Sequence, residues 1–133
     1  MSNYKENYRK KVIIVSRCSW TLYNFRMGLM SALLREGWEV LAAGARDGIH
    51  EVKIEESGVR FIGLNIDKKG VNPWQDIKLI KQLYNVYKSE KPAVVHHFTI
   101  KPVIYGGIAA KLSNMPRVIS TITGLGYVFT GRA

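Results

Sequence analysis

Residues 11–16 read K-V-I-I-V-S, and every position from Val12 to Val15 is β-branched. A strand with one wet face alternates apolar and polar residues, so this unbroken run predicts a strand covered on both sides, as in a parallel sheet. Working outward, residues 24–36 predict a helix. Phe25, Leu29, Met30 and Leu33 recur at three-to-four spacing, Asn24 is placed to cap the start, and Gly37 ends it. Residues 38–43 predict a second strand, residues 48–57 a short helix closed by Gly58, and residues 59–65 a third strand. Gly70 and Pro73 mark a turn. An amphipathic helix then runs over 73–91, with Ile77, Ile80, Tyr84 and Tyr87 on one face, and Pro92 stops it. Residues 93–98, 102–112 and 117–122 predict strand, helix and strand.

Five strands alternating with four helices predict an α/β, Rossmann-like, doubly wound parallel sheet in the order 3-2-1-4-5. Such sheets bind ligands at the carboxyl ends of the strands, where the order reverses between strands one and four. Three segments lie there: residues 16–24, residues 98–102, and the stretch after Ile122.

Composition narrows the function. The chain has 133 residues, enough for one domain, and 47% of them are hydrophobic, enough for a core. No apolar run is long enough to span a bilayer, and the polar tail over residues 1–10 lacks a signal-peptide centre, so a cytoplasmic location is expected. The single cysteine, Cys18, excludes a disulfide framework and reads as a packing residue. A net charge of +10 favours phosphate-bearing partners: a nucleotide-linked substrate, an anionic membrane or a nucleic acid. No helix-turn-helix, zinc or RNP pattern accompanies the charge, so nucleic acid is not expected.

The first segment, S-R-C-S-W-T-L-Y-N-F-R, contains no glycine and therefore no dinucleotide fingerprint. Its hydrogen-bonding residues include Asn24, and Arg17 and Arg26 are candidate clamps for a phosphate or carboxylate. In the second, H-H-F-T-I-K-P, neighbouring strand residues face opposite ways, so His96 and His97 cannot share one pocket or pair on a metal. Either one alone is a candidate base, and Thr99 and Lys101 are candidate anion contacts. In the third, Thr123 offers a hydroxyl, and Gly124 and Gly126 permit close backbone approach. None of the ten acidic residues falls in these segments, which argues against a paired-carboxylate hydrolase.

Four stretches in order, S-W-x-L-Y-N-F-R, N-P-W-x-D, H-x-F-T-x-K-P-x-x-Y-G and T-G-L-G-Y-V-F, resemble glycosyltransferase family 4, more narrowly its bacterial members that assemble cell-surface glycans. The resemblance spans residues 11–130 and implies the N-terminal, acceptor-side half of a two-domain GT-B enzyme. The donor-binding C-terminal domain, or a partner subunit, would lie elsewhere. It implies retaining transfer from a nucleotide-sugar to a lipid-linked saccharide, with no cofactor, no obligatory metal, and a site on the cytoplasmic membrane face. His96 matches the first histidine of the family's H-x-H, whereas Phe98 stands at the second, more often catalytic one. Lys101 and the Gly124–Gly126 turn match, and Arg26 is expected to line the same cleft. Two other readings stay open: a non-catalytic acceptor subunit of a split transferase, and a basic nucleic-acid-binding module.

Overall fold

The computed structural model describes residues 10–66 and 73–122. Along them run β1 (Lys11–Cys18), α1 (Ser19–Arg35), β2 (Glu39–Ala45), α2 (His50–Glu56), β3 (Arg60–Gly63), α3 (Pro73–Glu90), β4 (Val94–Phe98), α4 (Ile100–Leu112) and β5 (Val118–Thr121). The strands form one sheet in the order β3-β2-β1-β4-β5, every neighbouring pair parallel. The order reverses beside β1, as its sequence pattern requires: Ile13, Ile14 and Val15 are fully buried, alternate residues facing opposite helix layers. Val12 and Ile14 join Leu22 and Met30 of α1 and Ile54 of α2 in one core. Ile13 and Val15 join Leu79, Leu83 and Tyr87 of α3 and Ala109 and Ala110 of α4 in the other.

Two helices differ from expectation. α1 starts at Ser19, directly after β1, so no loop spans 16–24 and Asn24 caps nothing. β1 extends to Cys18 through an irregularity after Val15, and β2 accommodates it at Gly44. A Cβ there would stand 2.9 Å from the Ser16 carbonyl oxygen. With the helix phased from Ser19, Leu22 and Met30 turn inward, whereas Phe25 (63% exposed) and Leu29 fall on an open flank. On α3 Tyr87 is buried as expected, but the rest of its buried row is Leu79 and Leu83, one step from Ile80 and Tyr84, which are half-buried, and Ile77 is exposed.

The amino ends of the strands are tied by charge. Glu90 at the end of α3 accepts from Lys11 (3.1 Å) and Arg60 (2.6 Å), and Arg60 also reaches Glu39 (3.3 Å). Most of these groups are partly wet, so the network orders β1, β2 and β3 more than it stabilises them.

One polar pair lies inside the α3–α4 core. His97 shares a 2.7 Å hydrogen bond with the Tyr87 hydroxyl, and its Nδ1 has no partner among the described residues. Burial, with a smaller contribution from neighbouring His96, depresses the imidazole pKa to about 4. α4 closes over this ring at Gly106, where a Cβ would lie 2.3 Å from it.

Candidate functional site

At the switch point β1 and β4 send their chains to opposite faces, β1 into α1 and β4 into α4. The alternation at His96 and His97 is as expected. His97 points under α3, whereas His96 and Phe98 face the α1 side. Phe98 is 3% exposed and packs within the α1 core, which makes it a rigid platform. The Arg26 guanidinium lies 3.8 Å from the Phe98 ring centroid, and His96 stacks on Phe98 with centroids 4.0 Å apart. His96 Nε2 and the Thr121 hydroxyl share a 2.9 Å hydrogen bond. The row Arg26, Phe98, His96, Thr121 thus crosses from α1 over β4 to β5.

Its electrostatics follow from burial. Among the described residues Arg26 has no ion-pair partner, and partial burial lowers its pKa without removing the charge. Burial first, then the charge of Arg26, holds the His96 imidazole below its usual pKa, so at neutral pH the ring is uncharged. The result is a planar cation fixed on an aromatic face beside a neutral imidazole, suited to binding a phosphate oxygen pair and to hydrogen-bonding a sugar hydroxyl.

Thr99 joins this row to α4. It occupies the N-cap with φ 71° and ψ 164°, a region a β-branched residue rarely adopts. Its amide bonds the Thr121 carbonyl at 3.2 Å, its side chain makes no cap, and its Oγ1 is buried without a partner among the described residues. No acidic residue occupies the first turn of α4, so its amides and dipole favour an anion. The strain predicts that Thr99→Gly raises stability by about 1 kcal/mol, measured by thermal melting, because glycine adopts this φ freely. An unchanged or lower melting temperature would contradict the strain.

The other expected residues divide. Lys101 leans toward α3, its ammonium 3.6 Å from Asp76 Oδ1, on the opposite face of the sheet from Arg26. Asn24 does not cap α1: it sits on the exposed second turn and donates to the Trp20 carbonyl at 2.9 Å, because the helix begins five residues before it. Thr123, Gly124 and Gly126 lie outside the described residues. Sequence reasoning missed Phe98 as a platform and Asp76 as a neighbour of Lys101, since both relations join distant elements. It also missed a cleft of about 770 Å³ at the tips of β2 and β3, lined by Arg46, Asn65, Gln75 and Lys78. That cleft lies away from the strand reversal, where a sheet of this order binds its ligand.

The sequence profile described as glycosyl transferase 4-like matches residues 11–132. The chain belongs to this family. One relative is the UDP-N-acetylglucosamine–N-acetylmuramyl-(pentapeptide) pyrophosphoryl-undecaprenol N-acetylglucosamine transferase of Nitrosomonas eutropha, 29% identical over 70% of this chain and 28% of its own length. Another is the UDP-Gal:alpha-D-GlcNAc-diphosphoundecaprenol alpha-1,3-galactosyltransferase of Escherichia coli, 38% identical over 44% of this chain and 15% of its own. The chain therefore spans less than a third of either relative. A glycosyltransferase structure from Rickettsia africae superposes with a TM-score of 0.67 at 17% identity, over 85% of this chain and 30% of that one. That likeness confirms the expected fold.

Proposed function

We propose that the chain is the acceptor-side half of a glycosyltransferase that moves a sugar from a nucleotide-sugar to a lipid-linked saccharide. The observation that carries this reading is the Arg26 guanidinium seated on Phe98 beside His96 and Thr121, at the switch point of the family's sheet. A diphosphate linking lipid to saccharide suits such a cation, and both relatives are named for substrates of that kind. Arg26 would hold the phosphate, and His96, neutral and tied to Thr121, would orient a sugar hydroxyl. The donor-binding half would come from another part of the polypeptide or from a partner subunit. On the family resemblance the transfer is retaining and needs no metal.

A lipid-linked acceptor calls for work at a membrane surface, and the family resemblance points to its cytoplasmic face. Among the described residues no helix is long and apolar enough to cross one. Trp74, Ile77 and Lys78 of α3 and Ile104, Ile108 and Leu112 of α4 present an exposed apolar and basic surface, with an open groove of about 440 Å³ along Ile77, Ile80, Lys81, Tyr84 and Leu112. Apolar side chains flanked by lysines suit an anionic leaflet, at about 1 kcal/mol per basic residue close to the surface.

One experiment tests both parts: cosedimentation with phosphatidylglycerol or phosphatidylcholine vesicles, with and without N-acetylglucosaminyl diphosphoundecaprenol. The chain is expected to bind the anionic vesicles more tightly, and the lipid-linked sugar to strengthen binding in both. Arg26→Ala should remove about tenfold of the sugar-dependent gain, the loss of one charge-assisted phosphate contact. No gain from the lipid-linked sugar in the wild type would sink the acceptor reading.

A further inference from the structure

We infer that the cleft at the tips of β2 and β3 is a second anion site, which takes a phosphate ester carrying hydroxyl groups and is independent of the acceptor reading above. Arg46 enters it directly after β2, Asn65 after β3, and Gln75 and Lys78 from the start of α3. At about 770 Å³ it has the size of a small-molecule site and is too large for a bare ion. Among the described residues its polar side chains are two cations and two amides, with no acid. The acids beside it in sequence are engaged elsewhere. Asp47 accepts from the Ile49 and His50 amides, each at 2.8 Å, and pairs with the His50 ring. Asp76 accepts from the Tyr105 hydroxyl at 2.9 Å and stands 3.6 Å from the Lys101 ammonium. Arg46 and Lys78 are thus left without an ion-pair partner among the described residues.

The walls of the cleft are held in place. Arg46 lies across Gly63, where a Cβ would stand 2.4 Å from its Nε, and its guanidinium is 5.2 Å from the Phe61 ring centroid. The cation is therefore laid along β3. Gln82 fixes the chain that follows, donating to the Gly63 carbonyl at 2.9 Å and accepting from the Asn65 amide at 3.1 Å. A guanidinium fork suits two phosphate oxygens, and Lys78 adds a point charge from α3. The side-chain amides of Asn65 and Gln75 both donate and accept, which suits hydroxyls. That chemistry is shared by a soluble sugar phosphate and by the headgroup of phosphatidylglycerol, and Lys78 also belongs to the exposed basic surface of α3.

The test is calorimetric titration with inorganic phosphate and with glucose 1-phosphate, beside cosedimentation with phosphatidylglycerol vesicles. Glucose 1-phosphate is expected to bind about tenfold more tightly than inorganic phosphate, the gain of two hydrogen bonds. Arg46→Ala should cost about tenfold, the loss of a charge-assisted contact. Lys111→Ala, which removes the same charge at the far end of α4, should cost nothing. Gly63→Ala keeps every charge but pushes Arg46 off its seat, and should weaken binding about threefold with the melting temperature unchanged. Binding to the vesicles that depends on Arg46, without binding of glucose 1-phosphate, supports the site with a lipid as the source of the ester. Equal losses in Arg46→Ala and Lys111→Ala would mean attraction by net charge alone and overturn the inference, as would no Arg46-dependent binding in either arm. The Arg46-dependent binding should persist in Arg26→Ala; its loss there would place the anion on the Arg26 row and overturn the second site while leaving the acceptor reading standing.

Discussion

Gly106→Ala is expected to destabilise the fold by about 3 kcal/mol, the upper end for an overpacked core, and to lower the melting temperature by about 10 °C. The added Cβ would stand 2.3 Å from the His97 ring. The ring cannot swing away cheaply, because Nε2 is held by Tyr87 and both side chains are fully buried. Moving α4 outward instead would open the core around Ala109 and Ala110. Since the clash is with one side chain, the double variant Gly106→Ala/His97→Ala should cost less than the two single losses together. Thermal or urea unfolding checks both; simple additivity would mean that the alanine is resisted by something other than His97.

Acidification should weaken the protein well before its carboxylates titrate. The unfolded His97 takes up a proton near pH 6.5, whereas the folded one stays neutral down to about 4. Between these values the unfolded state binds more protons, so stability falls as pH falls, by about 3 kcal/mol across the window. His96, also held below its usual value, adds a change of the same sign. Glu51 and Glu90 are held below the ordinary carboxylate range, so their contribution is present above pH 4.5 and lost only beneath it. Unfolding measured between pH 7 and pH 5 should therefore show a slope that His97→Gln makes shallower. An unchanged slope in that variant would assign the loss elsewhere.

How much of this was readable in advance depends on the range of the interaction. The β-branched run at 12–15, the alternation of strand and helix, and the reversal between β1 and β4 follow from burial patterns carried within single elements, and these came out as expected. So did the opposed directions of His96 and His97, which the period of a strand dictates. The start of α1 did not, because it depends on how β1 ends against Gly44 of β2. The phase of α1 followed from that start, which is why Asn24, Phe25 and Leu29 were misplaced.

Order along the chain, with the chemistry of each side chain, was sufficient for the sheet, its sequence of strands and the end at which a ligand would sit. Which groups meet at that end was a tertiary outcome. Arg26 finds Phe98 only because α1 packs over β4, and Asp76 finds Lys101 only because α3 and α4 lie side by side. Hydrophobic period is written locally, since each turn or pleat repeats it. A contact between a cation and a ring 72 residues later depends on the crossing of two elements, and no local pattern records that angle.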